Sequence, residues 1–261
     1  MLNRFENKVA IVTGAGQGIG EATAERLIAE GGRVVLADIS GKQNAVAERL
    51  GERALGAHCD VTNAEQVEIL VQQAVERFGG LHVMINNVGL GARFQHVADI
   101  SESEFDWAYR VNLKSAYLGL KYAIPAIVRS GGGAVVSISS AAGMSGFRGL
   151  GAYSAMKSGI LGITRAAAAE YAHKRVRVNC VVPGMTRTVG ALDYFKDNDK
   201  DPNELFNAHG ITSMLGRVGE ARELAAAIAF LSSDDASYIT AHMLPVDGGM
   251  MASPGHAYTG D

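Results

Sequence analysis

Tyr153 and Lys157 stand four residues apart in Tyr153-Ser-Ala-Met-Lys157, a spacing that puts a phenol and an ammonium on one face of a helix. A free tyrosine has a pKa of about 10, so roughly one in a thousand is phenolate at neutral pH. An ammonium about 5 Å away, at an effective dielectric near 20, favours the phenolate by roughly 3 kcal/mol, or about two pKa units. Such a pair can take a proton from an alcohol or return one. Spacing does not single it out, because Tyr117-Leu-Gly-Leu-Lys121 repeats it. Position does. Tyr153 follows a strand-like run that ends in Ile138-Ser139-Ser140, where a serine can face the same cleft, whereas Tyr117 lies in the middle of a long helical pattern and reads as a packing or surface residue.

A second cluster suits a dinucleotide. The first apolar strand ends in Thr13-Gly-Ala-Gly-Gln-Gly-Ile-Gly20 and opens directly into a helical pattern. Glycines there allow a turn at positive φ, close approach of backbone to a pyrophosphate, and tight packing of helix on strand. The spacing of Gly14, Gly18 and Gly20 is T-G-x-x-x-G-x-G rather than G-x-G-x-x-G. Asp38 follows the second strand, where an acid hydrogen-bonds the adenosine ribose hydroxyls. Its carboxylate repels a 2′-phosphate and no arginine follows it, so NAD is favoured over NADP, with Lys42 as a nearby cation that offsets part of the repulsion. Cys59-Asp60-Val61 and Asn86-Asn87-Val88-Gly89 place polar side chains just beyond two further strands. They suit adenine edges and strand-end backbone bonding, and each alone reads equally as turn chemistry.

These residues need elements to position them. Strand candidates are Lys8 to Thr13, Arg33 to Ala37, Ala54 to His58, His82 to Asn86, Ala134 to Ile138 and Val176 to Val181. Helical patterns run from Gly18 to Glu30, Gln43 to Leu50, Ala64 to Phe78, Glu102 to Arg129 and Tyr153 to His173. Strands apolar throughout and separated by helices imply a single α/β domain over residues 1–261, a doubly wound parallel sheet of Rossmann type covered by helices on both faces. Ligands collect at the carboxyl ends of such strands. Thr62 and Asn63 offer an N-cap to one helix, and Ser101 with Glu104 a capping box to another. The stretch from Met185 to Leu215 lacks a strong period and is expected to be a substrate lid with one or two short helices.

Bulk properties agree. The 261 residues are 48 % hydrophobic and 20 % charged, with 32 glycines against 5 prolines, as in a globular chain with many tight turns. A formal net charge of −3 leaves no nucleic-acid footprint, and no apolar run approaches a membrane span. Cys59 and Cys180 read as buried free thiols, and the absence of a signal-peptide pattern points to the cytoplasm.

Taken together, the motifs resemble the classical short-chain dehydrogenase/reductase family over nearly the whole chain. They appear in order: Thr13 to Gly20, Asp38, Asp60-Val61, Asn86 to Gly89, Asn112, Ser140, Tyr153 with Lys157, Pro183-Gly184 with Thr188, and Pro245-Val-Asp-Gly-Gly249. Two departures are Val88, where alanine is usual, and Met214, where proline is common. The resemblance implies Tyr153 as general base in alcohol oxidation and acid in ketone reduction, Lys157 as the group that lowers its pKa and holds the nicotinamide ribose, and Ser140 as hydrogen-bond partner of the substrate oxygen. Asn112 would hold a water linking Lys157 to solvent. It implies coenzyme contacts from Gly14, Gln17, Gly18, Ile19 and Gly20, from Asp38, Asp60 and Val61, from Asn87 and Gly89, and from Pro183, Gly184, Thr186 and Thr188 beside Tyr153 and Lys157. No metal is expected.

Substrate walls are sought in Gly91 to His96, in Ala141 to Leu150 with Met144, Phe147 and Leu150, and in the lid with Met185, Tyr194, Phe195 and Phe206. Apolar walls and five acids between Asp193 and Glu204 favour a neutral secondary alcohol or ketone, perhaps cyclic, although Arg93, Arg148 and Arg187 could admit an anion. The alternatives are an NADPH-dependent 3-oxoacyl-thioester reductase and a nucleotide-sensing protein without catalysis. Apolar and small residues on more than one face of the helices around Glu102 to Arg129 and Tyr153 to His173, with the family's habit, imply a homotetramer. The tail from Met250 to Asp261 is expected to reach a neighbouring subunit.

Overall fold

In the first strand every residue is buried, and side-chain alternation sends Val9 and Ile11 into one core and Ala10 and Val12 into another. A strand that buries both faces needs a cover on each. The computed structural model describes residues 3–91, 93–197, 201, 203–204, 206–207 and 212–252, without the side chains of 194–197. The chain runs through β1 (Val9–Thr13), α1 (Gly18–Ala29), β2 (Arg33–Asp38), α2 (Lys42–Leu50), β3 (Ala54–His58), α3 (Ala64–Phe78), β4 (Val83–Asn86) and α4 (Glu102–Ala108). It continues through α5 (Ser115–Arg129), β5 (Gly133–Ile138), α6 (Gly151–Tyr171), β6 (Val176–Pro183), β7 (Thr186–Arg187), α7 (Val189–Asp197), β8 (Gly219–Glu220), α8 (Ala221–Ser232) and β9 (Met243–Val246).

Seven strands form one parallel sheet in the order β3-β2-β1-β4-β5-β6-β9, as expected of a doubly wound domain. Val67 and Leu70 of α3, Ile124 and Ile127 of α5 and Ala168 of α6 fill one core; Leu27 of α1, Val46 of α2 and Ile228 of α8 fill the other. Winding reverses between β1 and β4, so the carboxyl ends of β1, β4, β5 and β6 surround one crevice. Helix boundaries follow local chemistry. The Asn63 side chain accepts from the Glu65 and Gln66 amides at 3.0 and 3.2 Å, and Ser101 with Glu104 forms the expected capping box.

Three features differ from expectation. The pattern from Glu102 to Arg129 is not one helix: Tyr109–Lys114 widens into a π-helical segment between α4 and α5. Asn112 lies in it, and its side-chain amide donates to the Ala108 and Leu90 carbonyls, each at 3.1 Å, so the wider turn accompanies a side chain turned inward. The seventh strand, β9, was absent from the strand candidates because it is short, only partly buried and contains Pro245, which an edge strand tolerates. Between Met185 and Leu215 the structure contains α7, and β7 pairs with β8 just beyond the segment's end. Lid positions 198–200, 202, 205 and 208–211, the side chains of Tyr194 and Phe195, and tail positions 253–261 lie outside the described residues.

Candidate active site

The β1–α1 turn is held by neighbours that leave no room for side chains. Gly14 and Gly18 both take φ of +63°, and a Cβ on Gly20 would stand 2.1 Å from the Gly14 carbonyl oxygen. Asn87 braces the turn from β4: its Nδ2 donates to the Thr13 carbonyl at 2.9 Å and the Gly14 carbonyl at 3.3 Å, while its N–H donates to Thr13 Oγ1 at 3.0 Å. Val88 packs beside Gly14, where a Cβ would meet its Cγ2 at 3.2 Å. Across the crevice Thr188 faces Gly18, whose Cβ would lie 3.4 Å from Thr188 Cβ. Thr188 thereby closes on the turn from the end of β6.

Asp38 sits at the end of β2 against this turn. The N–H groups of Gly16 and Ser40 donate to its two carboxylate oxygens, each at 2.9 Å, and a Cβ at position 16 would press on the carboxylate at 3.0 Å. Gly16 was not among the expected site residues; its signal was its place inside the glycine turn. The Lys42 ammonium, weighed as an offset to Asp38, instead donates to Gln17 Oε1 at 2.8 Å. Bare backbone at Gly14, Gly16 and Gly18 with an anchored acid beside it fits a dinucleotide, the pyrophosphate against the turn and the ribose at Asp38. Asp60 and Val61 occupy the end of β3, where Asp60 Oδ1 accepts from the Thr62 N–H at 2.9 Å and Val61 joins the core. Ile19 also packs on a core. At the end of β6, Gly184 lies against Asp247, and Thr186 Oγ1 donates to the Gly184 carbonyl at 3.2 Å.

The reacting groups converge beyond β5. Ser140 and Tyr153 hydrogen-bond through their side chains, and Ser140 Oγ also accepts from the Ala142 N–H at 3.1 Å. Lys157 is buried, 1 % exposed, with its ammonium donating to the Ile138 carbonyl at 2.9 Å and lying 5.6 Å from the centroid of the Tyr153 ring. Ser139, the other hydroxyl of the pair, turns away and donates to the Lys157 carbonyl at 2.8 Å, tying α6 to β5. Gly89 supplies space: a Cβ there would stand 2.5 Å from Lys157 Nζ and 3.2 Å from Asn112 Oδ1. Asn112 accepts from the Leu90 N–H at 3.1 Å.

Electrostatics differ from the simple pair picture. Burial pushes the Tyr153 phenol above its ordinary pKa, with the Ser140 hydrogen bond opposing the shift. Burial also pushes Lys157 down to about 8, with Cys180 acting in the opposite direction. The roughly 3 kcal/mol expected from an ammonium near the phenol assumed a charge aimed at the phenolic oxygen. The lysine is instead satisfied by a strand-end carbonyl and faces the ring. Tyr117 is exposed, and Lys121 reaches over the Tyr122 ring at 5.3 Å, so the second copy of the spacing stays outside the crevice.

The expected substrate walls divide. Met144, Leu90 and Val189 expose apolar surface on the loops beyond β5, β4 and β6. Phe206 is buried with Val218 against Met185, Ala191 and Leu192, and Arg187 stacks 4.6 Å from its ring centroid, so Phe206 and Met185 form a small core of the lid segment. Cys59 and Cys180 are both buried free thiols. Among the described residues no helix is long and apolar enough to cross a membrane.

Known proteins share this arrangement. The protein family described as Enoyl-(Acyl carrier protein) reductase matches residues 14–251. A cyclohexanol dehydrogenase of Acinetobacter sp. (strain SE19) is 38 % identical over 252 residues, covering 95 % of this chain and 96 % of its own. A levodione reductase of Leifsonia aquatica is 35 % identical over 257 residues, covering 96 % of each. A crystal structure of levodione reductase superposes with a TM-score of 0.89 at 34 % identity, covering 96 % of this chain and 100 % of that one.

Proposed function

Because the chain belongs to the short-chain dehydrogenase/reductase family of oxidoreductases, we propose that it uses NAD to interconvert a neutral secondary alcohol and its ketone, with Tyr153 carrying the proton. The observation that carries this reading is the hydrogen-bonded Ser140–Tyr153 pair, backed by buried Lys157, in the same crevice as the glycine turn and Asp38. When bound, the nicotinamide supplies the acceptor or donor of hydride. Gly14, Gly16 and Gly18 would face the pyrophosphate, Asp38 the adenosine ribose and Lys157 the nicotinamide ribose. The Asp38 carboxylate disfavours a 2′-phosphate, which supports NAD over NADP.

Ser140 would donate its hydroxyl proton to the substrate oxygen and stabilise alkoxide character there. Tyr153, held above its ordinary pKa in the free protein, is protonated at neutral pH and so is ready as the acid of ketone reduction. Alcohol oxidation draws on its phenolate. The apolar surface of Leu90, Met144 and Val189 suits a neutral ring compound, in line with the relative named for cyclohexanol. The segment from Met185 to Leu215 would serve as lid over it. Two buried free thiols fit a reducing compartment such as the cytoplasm.

Exposed Phe105, Trp107, Tyr109 and Tyr117 along α4, the π segment and α5 support a homotetramer assembled through these helices. Light scattering at micromolar concentration is expected to give four times the 27.4 kDa chain mass; a monomer removes the assembly.

The activity is tested by following NADH absorbance with NAD⁺ or NADP⁺ and a panel of cyclic secondary alcohols. NAD⁺-linked turnover is expected, and Tyr153→Phe should lower kcat by about 10²–10⁴ with little change in NADH affinity. Turnover confined to NADPH and 3-oxoacyl thioesters would instead establish a 3-oxoacyl-thioester reductase. Coenzyme binding without turnover of either class would leave a nucleotide sensor.

A further inference from the structure

The loop after β4 and the loop after β5 form adjoining walls of the crevice, and one residue joins them. Gln95 donates its N–H to the Gly149 carbonyl at 3.1 Å and pairs with Leu150 in an isolated parallel bridge. Its side chain hydrogen-bonds the Glu104 carboxylate, which also accepts from the Ser101 N–H at 3.1 Å and its hydroxyl at 2.8 Å in the capping box of α4. The contact is close along its length. A Cβ on Gly149 would stand 3.2 Å from Phe94 Cδ1, and one on Gly151 would stand 2.7 Å from Val97 Cγ2.

Both ends of this strap are fixed. Asn112 holds Leu90 through its N–H and its carbonyl, each at 3.1 Å, and the capping box fixes the chain at Ser101. Gln95 is the tie between those anchors, and the residues it touches lead straight into α6, three positions before Tyr153. Movement at Leu150 is therefore movement of the phenol relative to Ser140. A misplacement of about 1 Å between reacting groups costs on the order of 10²-fold in rate.

We propose that Gln95 is a positioning residue, which clasps the two loops and sets the approach of Tyr153 and the width of the substrate gap between them. The inference rests on Tyr153 as the proton carrier, as argued above. It assigns Gln95 no contact with the reacting atoms. Its action runs through the register of the strap, from the side chain at Glu104 to the backbone at Gly149.

The test is a charge swap. Gln95→Glu sets two carboxylates against each other at Glu104, whereas Gln95→Glu with Glu104→Gln restores an amide–carboxylate bond, and glutamine serves the capping box as glutamate does. Gln95→Glu is expected to lower kcat about tenfold or more on a cyclic ketone, with NADH affinity measured by fluorescence unchanged, and the swap is expected to recover kcat to within about threefold. Wild-type kcat in Gln95→Glu, or a swap that recovers nothing, overturns the clasp. A merely structural role would lower NADH affinity and kcat together, which also overturns it. Failure of the underlying reading is distinguishable, because then wild type and Tyr153→Phe turn over alike whatever stands at position 95.

Discussion

Gly89 has no side chain where the Lys157 ammonium and Asn112 amide need room, since a Cβ would come within 2.5 Å of Nζ. The near atom is the end of a flexible side chain, so alanine there should let the fold form and displace the lysine from the Ile138 carbonyl. Gly89→Ala is therefore expected to keep its melting temperature within a few degrees and lose about 10–100-fold in kcat, measured side by side on one preparation. Identity and order of these groups were legible in the sequence. Orientation was not: Tyr153 and Tyr117 share a spacing to lysine, yet only Lys157 is buried beneath a strand end, while Lys121 lies over Tyr122. The direction of the Tyr153 shift also escaped the sequence, because desolvation depends on what folds over the phenol.

Elements were legible where local chemistry fixes them. Asn63 before an early glutamate, and Gly79 at φ +86° after the last turn, bound α3 at the expected residues. Asn63→Ala removes the acceptor for two amides and is expected to cost about 1 kcal/mol, read as a lower denaturation midpoint at constant slope. The π segment at Asn112 was not legible, because the helical pattern from Glu102 to Arg129 continues through it. Its cause is tertiary: the Asn112 side chain reaches Leu90, 22 residues earlier. The edge strand β9 was missed for the opposite reason. Its local pattern is weak, and pairing with β6 makes it a strand.

At the scale of the molecule, Glu30 joins distant parts of the chain. It is 5 % exposed and accepts from Arg4 at 2.6 and 2.9 Å and from Arg26, while Arg4 also reaches Asp235 at 3.2 Å. Burial pushes this carboxyl up, and the arginines outweigh burial, so it lies below its ordinary value. A folded pKa below the unfolded one contributes stability that is whole above the ordinary glutamate value of about 4.3 and is lost as pH falls through the folded value. Glu30→Gln is expected to cost about 2 kcal/mol at neutral pH, with the difference from wild type shrinking as the pH is lowered; urea titrations at several pH values check both. The sheet order itself was anticipated as a doubly wound type, since alternating apolar strands and helices admit few other packings.

The sequence by itself determined the fold class, the glycine turn, Asp38 and the set of groups able to move a proton, because those signals lie within a few residues of one another and are dictated by local geometry. Only the tertiary structure decided which tyrosine–lysine pair enters the crevice, that Lys157 spends its ammonium on a carbonyl 19 residues earlier, that Gly16 anchors Asp38, and that Gln95 ties two walls together. Each of those depends on contacts between segments far apart in the chain. Their distances and desolvation are set by packing, which no local pattern encodes.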